Sequence, residues 1–229
     1  MAGASPERSF SPALFRFLRD LEANNDRAWL AANKSRYEDD VRGPALDFVV
    51  DVAPHLEQIS PHFVADSRPS GGSLFRLHRD TRFSKDKSPY KTYTGIQFRH
   101  ELGKDAHAPG FYLHLQPNSV FVGAGIWHPD GPALARIREA IADDPKAWSA
   151  AKLVGARFEL AGDSLKRAPA GYDPEHPLID DLKRKDFICS ASLTEKEVCS
   201  RGFVEAFAGM CREASPLVRF LCSALDAPF

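Results

Sequence analysis

The sequence predicts an α+β fold: N-terminal helices, a central and mainly antiparallel sheet, then further helices and a late strand toward the C-terminus. Three observations carry this prediction. Apolar residues recur at helical spacing over the first sixty residues, strict alternation takes over between Ser73 and Trp127, and helical spacing then returns around a strand near Phe187.

Ser11 followed by Pro12 is a helix-start signal, and Leu14, Phe17, Leu18 and Leu21 then share one face. Asn24 and Asn25 break that helix, and Asp26 caps a second carrying Trp29, Leu30 and Tyr37. Gly43-Pro44 is expected to separate it from a third, which holds Leu46, Val49, Val50, Ala53 and Leu56. Pro54 has no backbone donor, so it predicts a kink or an early end there.

Residues 73–78 read as a short strand with Phe75 and Leu77 on one side and Leu74, Arg76 and His78 on the other. Residues 92–100 set Thr94, Ile96 and Phe98 opposite Tyr93, Gly95, Gln97 and Arg99. Residues 111–116 set Phe111, Leu113 and Leu115 opposite Tyr112, His114 and Gln116, and the Pro117-Asn118 turn leads to a strand at 120–127. Strands that follow one another without helices are expected to pair antiparallel, because parallel neighbours need long crossovers.

Beyond them, Asp130 with Pro132 starts a helix bearing Leu134, Ile137 and Ile141, and Asp144-Pro145 starts another near Trp148. Residues 157–160 read as a strand and Asp173-Pro174 as the start of a short helix through Leu182. The strand at 187–193 is followed by Thr194 and Glu197, which match a capping box, and by helical segments through Phe203, Phe207, Leu217 and Phe220. No repeat and no linker rich in Pro, Gly or Ser divides the chain. Residues 1–229 therefore read as one domain with a flexible start over 1–10.

Composition narrows the function. Lys plus Arg number 30 against 31 Asp plus Glu, a net charge of −1, which excludes a generally basic coater of nucleic acid. With 43% hydrophobic and 27% charged residues, the chain is not disordered as a whole. No run approaches the roughly 18 apolar residues of a membrane span. The first twenty residues carry Glu7, Arg8, Arg16, Arg19 and Asp20 where a signal peptide needs an apolar core, so the expected location is the cytoplasm, away from membranes. Cys189, Cys199, Cys211 and Cys222 sit among core residues with no C-x-x-C pair, and they read as buried free thiols.

The chemistry concentrates at 76–91, R-L-H-R-D-T-R-F-S-K-D-K-S-P-Y-K, where six Lys and Arg meet only Asp80 and Asp86. This local +4 leaves −5 on the rest of a chain whose total is −1, so the positive charge is concentrated, as an anion site requires. Phe83, Pro89, Tyr90 and Tyr93 among the charges suggest a packed loop, and a loop of this length between strands is more often functional than idle.

The run from Arg76 to Tyr90 resembles the signature R-x-x-R-D-x-R-F-x-x-D/N-K-x-x-Y of a family of bacterial proteins of about this length, known only as a domain of unknown function. Every fixed position is filled, by Arg76, Arg79, Asp80, Arg82, Phe83, Asp86, Lys87 and Tyr90. The segment F-x-F-L-x-x-L-x-x-N-N from Phe15 to Asn25 and the segment L-K-R-A-P-A-G-Y-D-P-E-H-P from Leu165 to Pro177 are similar to that family as well. The resemblance implies that the loop is the family's hallmark. It implies no activity.

Three roles fit the loop. As an anion site, Arg76, Arg79, Arg82 and Lys87 supply charge-assisted hydrogen bonds and Tyr90 donates another. As a catalytic site, Asp80 or Asp86 is the base and the arginines stabilise developing charge. As a structural knot, the two aspartates lock arginine and lysine into a network that fixes the loop. On the sheet, Arg76, His78, Gln97, Arg99, Tyr112, His114 and Gln116 share the polar face, and Tyr112 and His114 extend the ligand-binding set. A wet face is also the ordinary property of an antiparallel sheet.

Other motifs carry less. In Gly123 to His128, G-A-G-I-W-H, the third glycine position of a dinucleotide fingerprint is filled by His128, so the glycines read as a bulge or a close-packing device. The eight histidines lack metal-site spacing, so no metal is expected, and the sequence assigns no cofactor and no oligomeric state. The leading expectation is a binder of a small anionic, phosphate-bearing ligand, with catalysis on it open. The alternatives are a nucleic-acid or protein interaction module using the same loop, and a structural scaffold.

Overall fold

The first helix starts where its capping residue dictates. The Ser11 hydroxyl accepts the amide of Ala13 at 3.3 Å and Pro12 occupies the first turn, where its missing N–H costs nothing. Helix α1 (Pro12–Ala23) buries Leu14, Phe15, Phe17, Leu18 and Leu21. The structure is a computed structural model that describes residues 9–82, 84–103 and 108–229. Most of the stretch expected to be flexible, and Phe83 of the signature, lie outside the described residues. Phe10 is buried, its ring 5.1 Å from that of Phe48.

Asp26 accepts the amide of Trp29 at 2.8 Å and opens α2 (Arg27–Ala32), which α3 (Lys34–Tyr37) follows. Here the structure departs from the expected break at Gly43-Pro44. A π-helical turn, Glu38–Arg42, carries the chain without interruption into α4 (Gly43–Ile59). The amide of Gly43 reaches back five residues to the carbonyl of Glu38, so the wider turn absorbs the donor that Pro44 cannot supply. Pro54 likewise does not end α4, which continues to Ile59 and buries Ala45, Phe48, Val49, Val52 and Leu56.

Five strands form one antiparallel sheet: β1 (Thr94–Arg99), β2 (Gly110–Gln116), β3 (Ser119–Ile126), β4 (Glu159–Ala161) and β5 (Phe187–Leu193), in the spatial order β1-β2-β3-β5-β4. Pairing Ile96 with Leu113, Leu113 with Val122 and Val122 with Ala191 brings the apolar residues of four strands to one face. The β2–β3 hairpin turns at Pro117-Asn118, with Asn118 at φ 64°, a conformation asparagine accepts better than most residues. Gly125, at φ 118°, lies where a Cβ would stand 2.1 Å from the carbonyl of Phe187, so it lets β3 approach β5. Of the two glycines expected to serve a bulge or close packing, Gly125 thus has the close contact, whereas a Cβ at Gly123 would come no nearer than 3.8 Å to a neighbour.

The expected strand at 73–78 is not a regular strand. Isolated bridges tie Leu74 to Ile96 on the β1 edge and His78 to Tyr90 ahead of β1 instead. The expected helix from Asp173 to Leu182 shrinks to α7 (Ile179–Leu182). Pro177 has no N–H to continue a helix, and Asp173 spends its side chain on the amide of Glu175.

Helices α5 (Gly131–Asp143) and α6 (Pro145–Ala151) start at Asp130 and Asp144, each accepting an amide at 2.9 Å. The capping box at Thr194 and Glu197 forms in both directions ahead of α8 (Glu195–Val198). Helix α9 (Phe203–Ala224) then packs with α4 over the apolar face of the sheet. Phe48 is the hub of this layer, with ring centroids 5.1 Å from Phe10, 5.7 Å from Phe203, 5.3 Å from Phe207 and 6.4 Å from Phe98. Cys189, Cys211 and Cys222 are buried free thiols and Cys199 is half-buried. Among the described residues, no helix is long and apolar enough to cross a membrane.

Candidate functional site

The basic loop is zipped at its neck by backbone hydrogen bonds. The Lys91 amide donates to Leu77 at 2.8 Å and the Arg79 amide to Pro89 at 2.9 Å, so residues 79–89 leave the sheet edge and return to it. Asn25, in the turn between α1 and α2, clamps the neck from below. Its amide group donates to the Tyr90 carbonyl at 3.0 Å and its side-chain oxygen accepts the Tyr90 amide at 3.1 Å. The second asparagine of the pair that follows α1 and the tyrosine that ends the loop signature are thus one contact.

Inside the loop the charges are largely spent on each other. Asp80 accepts Nη2 of Arg82 at 2.6 Å and also its Nε and backbone amide. Asp86 accepts the Ser88 hydroxyl at 2.6 Å and the Ser88 amide at 2.9 Å through one oxygen, and Arg79 through the other. Lys87 donates to the Thr81 carbonyl at 2.9 Å. The Arg82 guanidinium holds the Asp80 carboxyl down to about 2, and the Ser88 donors together with Arg79 hold Asp86 well below the usual carboxylate range. Both are ionised at neutral pH, and carboxylates held that low are weak proton acceptors.

A cleft of about 330 Å³ opens beside the neck, lined by Arg79, Asp80, Tyr90, Lys91, Thr92 and Tyr93. Of the residues singled out from the sequence, Arg79, Asp80 and Tyr90 line it, whereas Arg82, Asp86 and Lys87 face other loop groups. Arg76 is exposed, and its charge acts on both Asp80 and Lys91.

Lys91 is the residue that the sequence reading passed over. Its ammonium lies 5.2 Å from the ring centroid of Phe75 and 5.6 Å from that of Tyr93, and among the described residues no carboxylate pairs with it. Burial, with the nearby Arg76 charge, lowers its pKa below that of an ordinary lysine. The signature ends at Tyr90, one residue short of it, which is why the motif did not point there.

Tyr112 and His114 stand behind this lysine on the outer face of the sheet. Tyr93 lies 4.6 Å from His114, which stacks on Phe121 at 4.7 Å. Burial lowers the His114 pKa, partly offset by Gln116. The neutral ring then accepts a hydrogen bond from the Tyr112 hydroxyl at Nδ1 (2.9 Å) and donates one from Nε2 to Gln116 (3.1 Å). Gly95, opposite His114 in the register, makes room: a Cβ there would sit 2.6 Å from the Tyr112 oxygen. The two residues buttress the aromatic floor on which Lys91 rests and do not line the cleft.

Fold and site together define a class: an α+β protein whose antiparallel sheet carries an internally braced basic loop and, at its neck, a cleft with a half-buried cation. Comparison with family models gives the particular family. The chain belongs to DUF2461, a family of conserved hypothetical proteins, whose model matches residues 13–220. No curated protein matches the chain.

Proposed function

We propose that the protein binds a small anionic, phosphate-bearing ligand in the cleft at the neck of the basic loop, with Lys91 and Arg76 supplying the charge. The observation that carries this reading is Lys91, a half-buried ammonium that rests on two rings and makes no ion pair among the described residues, Asp80 of the same cleft being paired with Arg82. A cation so placed favours an incoming anion, which gains a charge-assisted hydrogen bond without displacing an existing ion pair. Tyr90 and Thr92 border the same space. Its 330 Å³ falls within the range of small-molecule sites and suits a phosphate ester better than a large cofactor. Arg79, Arg82 and Lys87 act in this reading as braces that hold the neck open, anchored on Asp86, Asp80 and the Thr81 carbonyl respectively.

The test is a thermal-shift panel of phosphate, sugar phosphates, nucleotides and carboxylates on the wild type, Lys91→Met and Arg82→Ala. A ligand at about a hundred times its dissociation constant is expected to add about 2.7 kcal/mol, a shift of several degrees. That shift disappears in Lys91→Met and is weakened in Arg82→Ala. An equal shift in Lys91→Met, or none with any anion, refutes the reading.

The competing reading is contact of the loop rim with a nucleic-acid backbone. It is favoured by the Arg82 side chain, 77% exposed, and by exposed Lys85 and Lys87 beside it. Ionic strength separates the two: backbone binding weakens steeply and log-linearly with salt in proportion to the phosphates contacted.

A further inference from the structure

Lys91 leaves the neck at a fixed point, because its amide is bound to the Leu77 carbonyl at 2.8 Å. The floor under its side chain is fixed as well. Phe75 is held by its amide on the Gly95 carbonyl at 2.9 Å and by its ring, 5.8 Å from that of Tyr112, while Tyr93 packs on His114. Nζ lies 5.2 and 5.6 Å from the Phe75 and Tyr93 ring centroids, in a residue that lines the 330 Å³ cleft. Binding an anion asks only that an amine keep its proton. At Lys91 burial and then the charge of Arg76 work against that proton, and no ion pair among the described residues restores it. A lysine desolvated beside another cation is the arrangement that yields a nucleophilic amine at a pH where an ordinary lysine stays charged. Arg76 itself is exposed and makes no ion pair among the described residues, which leaves its planar guanidinium for a phosphate.

We infer that the cleft takes small phosphorylated aldehydes, with Lys91 capturing the carbonyl as an imine and Arg76 holding the phosphate. This capture rests on the anion site proposed above and adds a covalent bond within it. The Nζ lone pair bonds to the carbonyl carbon as the C=O π pair moves to oxygen. The two amine protons pass to that oxygen, which leaves as water while the nitrogen lone pair closes the C=N bond. One neutral amine and one aldehyde thus become one imine and one water, with nothing oxidised or reduced. Aldehydes are the carbonyl compounds that amines capture most readily, and a cleft of this volume suits a short-chain one.

The full chain is incubated with glyceraldehyde 3-phosphate at pH 7 and reduced with sodium borohydride, which adds hydride to the imine carbon and leaves a stable secondary amine. Peptide mass mapping then locates the label. Lys91 is expected to carry at least tenfold more label than Lys85, an exposed lysine of the same loop. Glyceraldehyde, which lacks the phosphate, should label Lys91 several-fold less, and Arg76→Gln should abolish that preference. Saturating inorganic phosphate should suppress the labelling of Lys91 several-fold, because it occupies the anion site and favours the charged amine. Lys91 labelled within twofold of Lys85 overturns the capture, and a melt of the same protein that phosphate still raises would show that the anion site stands without it. Equal labelling of Lys91 by the two aldehydes overturns the role of the phosphate, and with no phosphate shift in the melt it overturns the anion site as well. Lys91 and Lys85 are compared within the wild type, so the result does not depend on whether a variant folds.

Discussion

At the residue scale, the loop aspartates tie loop order to pH. Asp80 titrates at about 2 in the folded chain and Asp86 is also lowered, against an ordinary aspartate value of about 3.9. A carboxylate whose folded pKa is depressed stabilises the fold fully above its unfolded value, and that contribution is lost as pH falls through the folded one. The braces should therefore be intact at pH 5 and released on acidification from about pH 4 toward 2. Amide hydrogen exchange at residues 79–90 checks this: exchange in the loop should rise relative to β2 over that window, and a constant ratio would contradict the bracing. Burial also pushes the Cys189 and Cys222 thiols up to about 12, so both should resist a thiol reagent at pH 8 in the native state and react on unfolding.

At the element scale, the loop depends on a helix that precedes it by fifty residues. Asn25→Ala removes both hydrogen bonds to Tyr90 and leaves a partly buried backbone donor and acceptor unpaired, at a cost of about 1 to 3 kcal/mol. A denaturant melt measures that loss, and weaker anion binding should accompany it because the neck is no longer fixed. Asn25 was visible in the sequence only as a helix breaker, since no local pattern says that a turn will grip a tyrosine sixty-five residues later. The strands were legible because strict alternation, as in Phe111 to Gln116, marks a sheet with one apolar face, although His114 and Gln97 on the other face are buried as well. The segment 73–78 also alternates, yet it forms only isolated bridges, because alternation reports which side is apolar and not whether a ladder forms. Gly43-Pro44 reads locally as a break. The π turn that bypasses it depends on a five-residue hydrogen bond that no composition rule anticipates.

At the scale of the whole molecule, one layer of helices covers one face of the sheet and leaves the other to the aromatic floor under Lys91. A single cluster of buried residues runs from Phe10 through Phe48, Phe98 and Phe207 to Leu221, so thermal unfolding is expected as one cooperative transition by both far-UV and near-UV signals. Phe48→Ala, at the hub of four rings, should cost about 3 to 5 kcal/mol and lower that transition without dividing it. The basic run announced its place in the sequence through charge concentration, but not its internal accounting. Only the folded loop pairs Arg82 with Asp80 and Arg79 with Asp86, which leaves the cation of interest one residue beyond the motif.

That cation gives the most direct measurement. The ¹⁵Nζ and ¹³Cε resonances of Lys91, followed through a pH titration with and without inorganic phosphate, report its charge state. Without phosphate the midpoint should lie below that of an ordinary lysine, and saturating phosphate should raise it, because an anion seated beside the ammonium favours the charged form. A Lys91 midpoint that phosphate leaves in place would contradict the anion site.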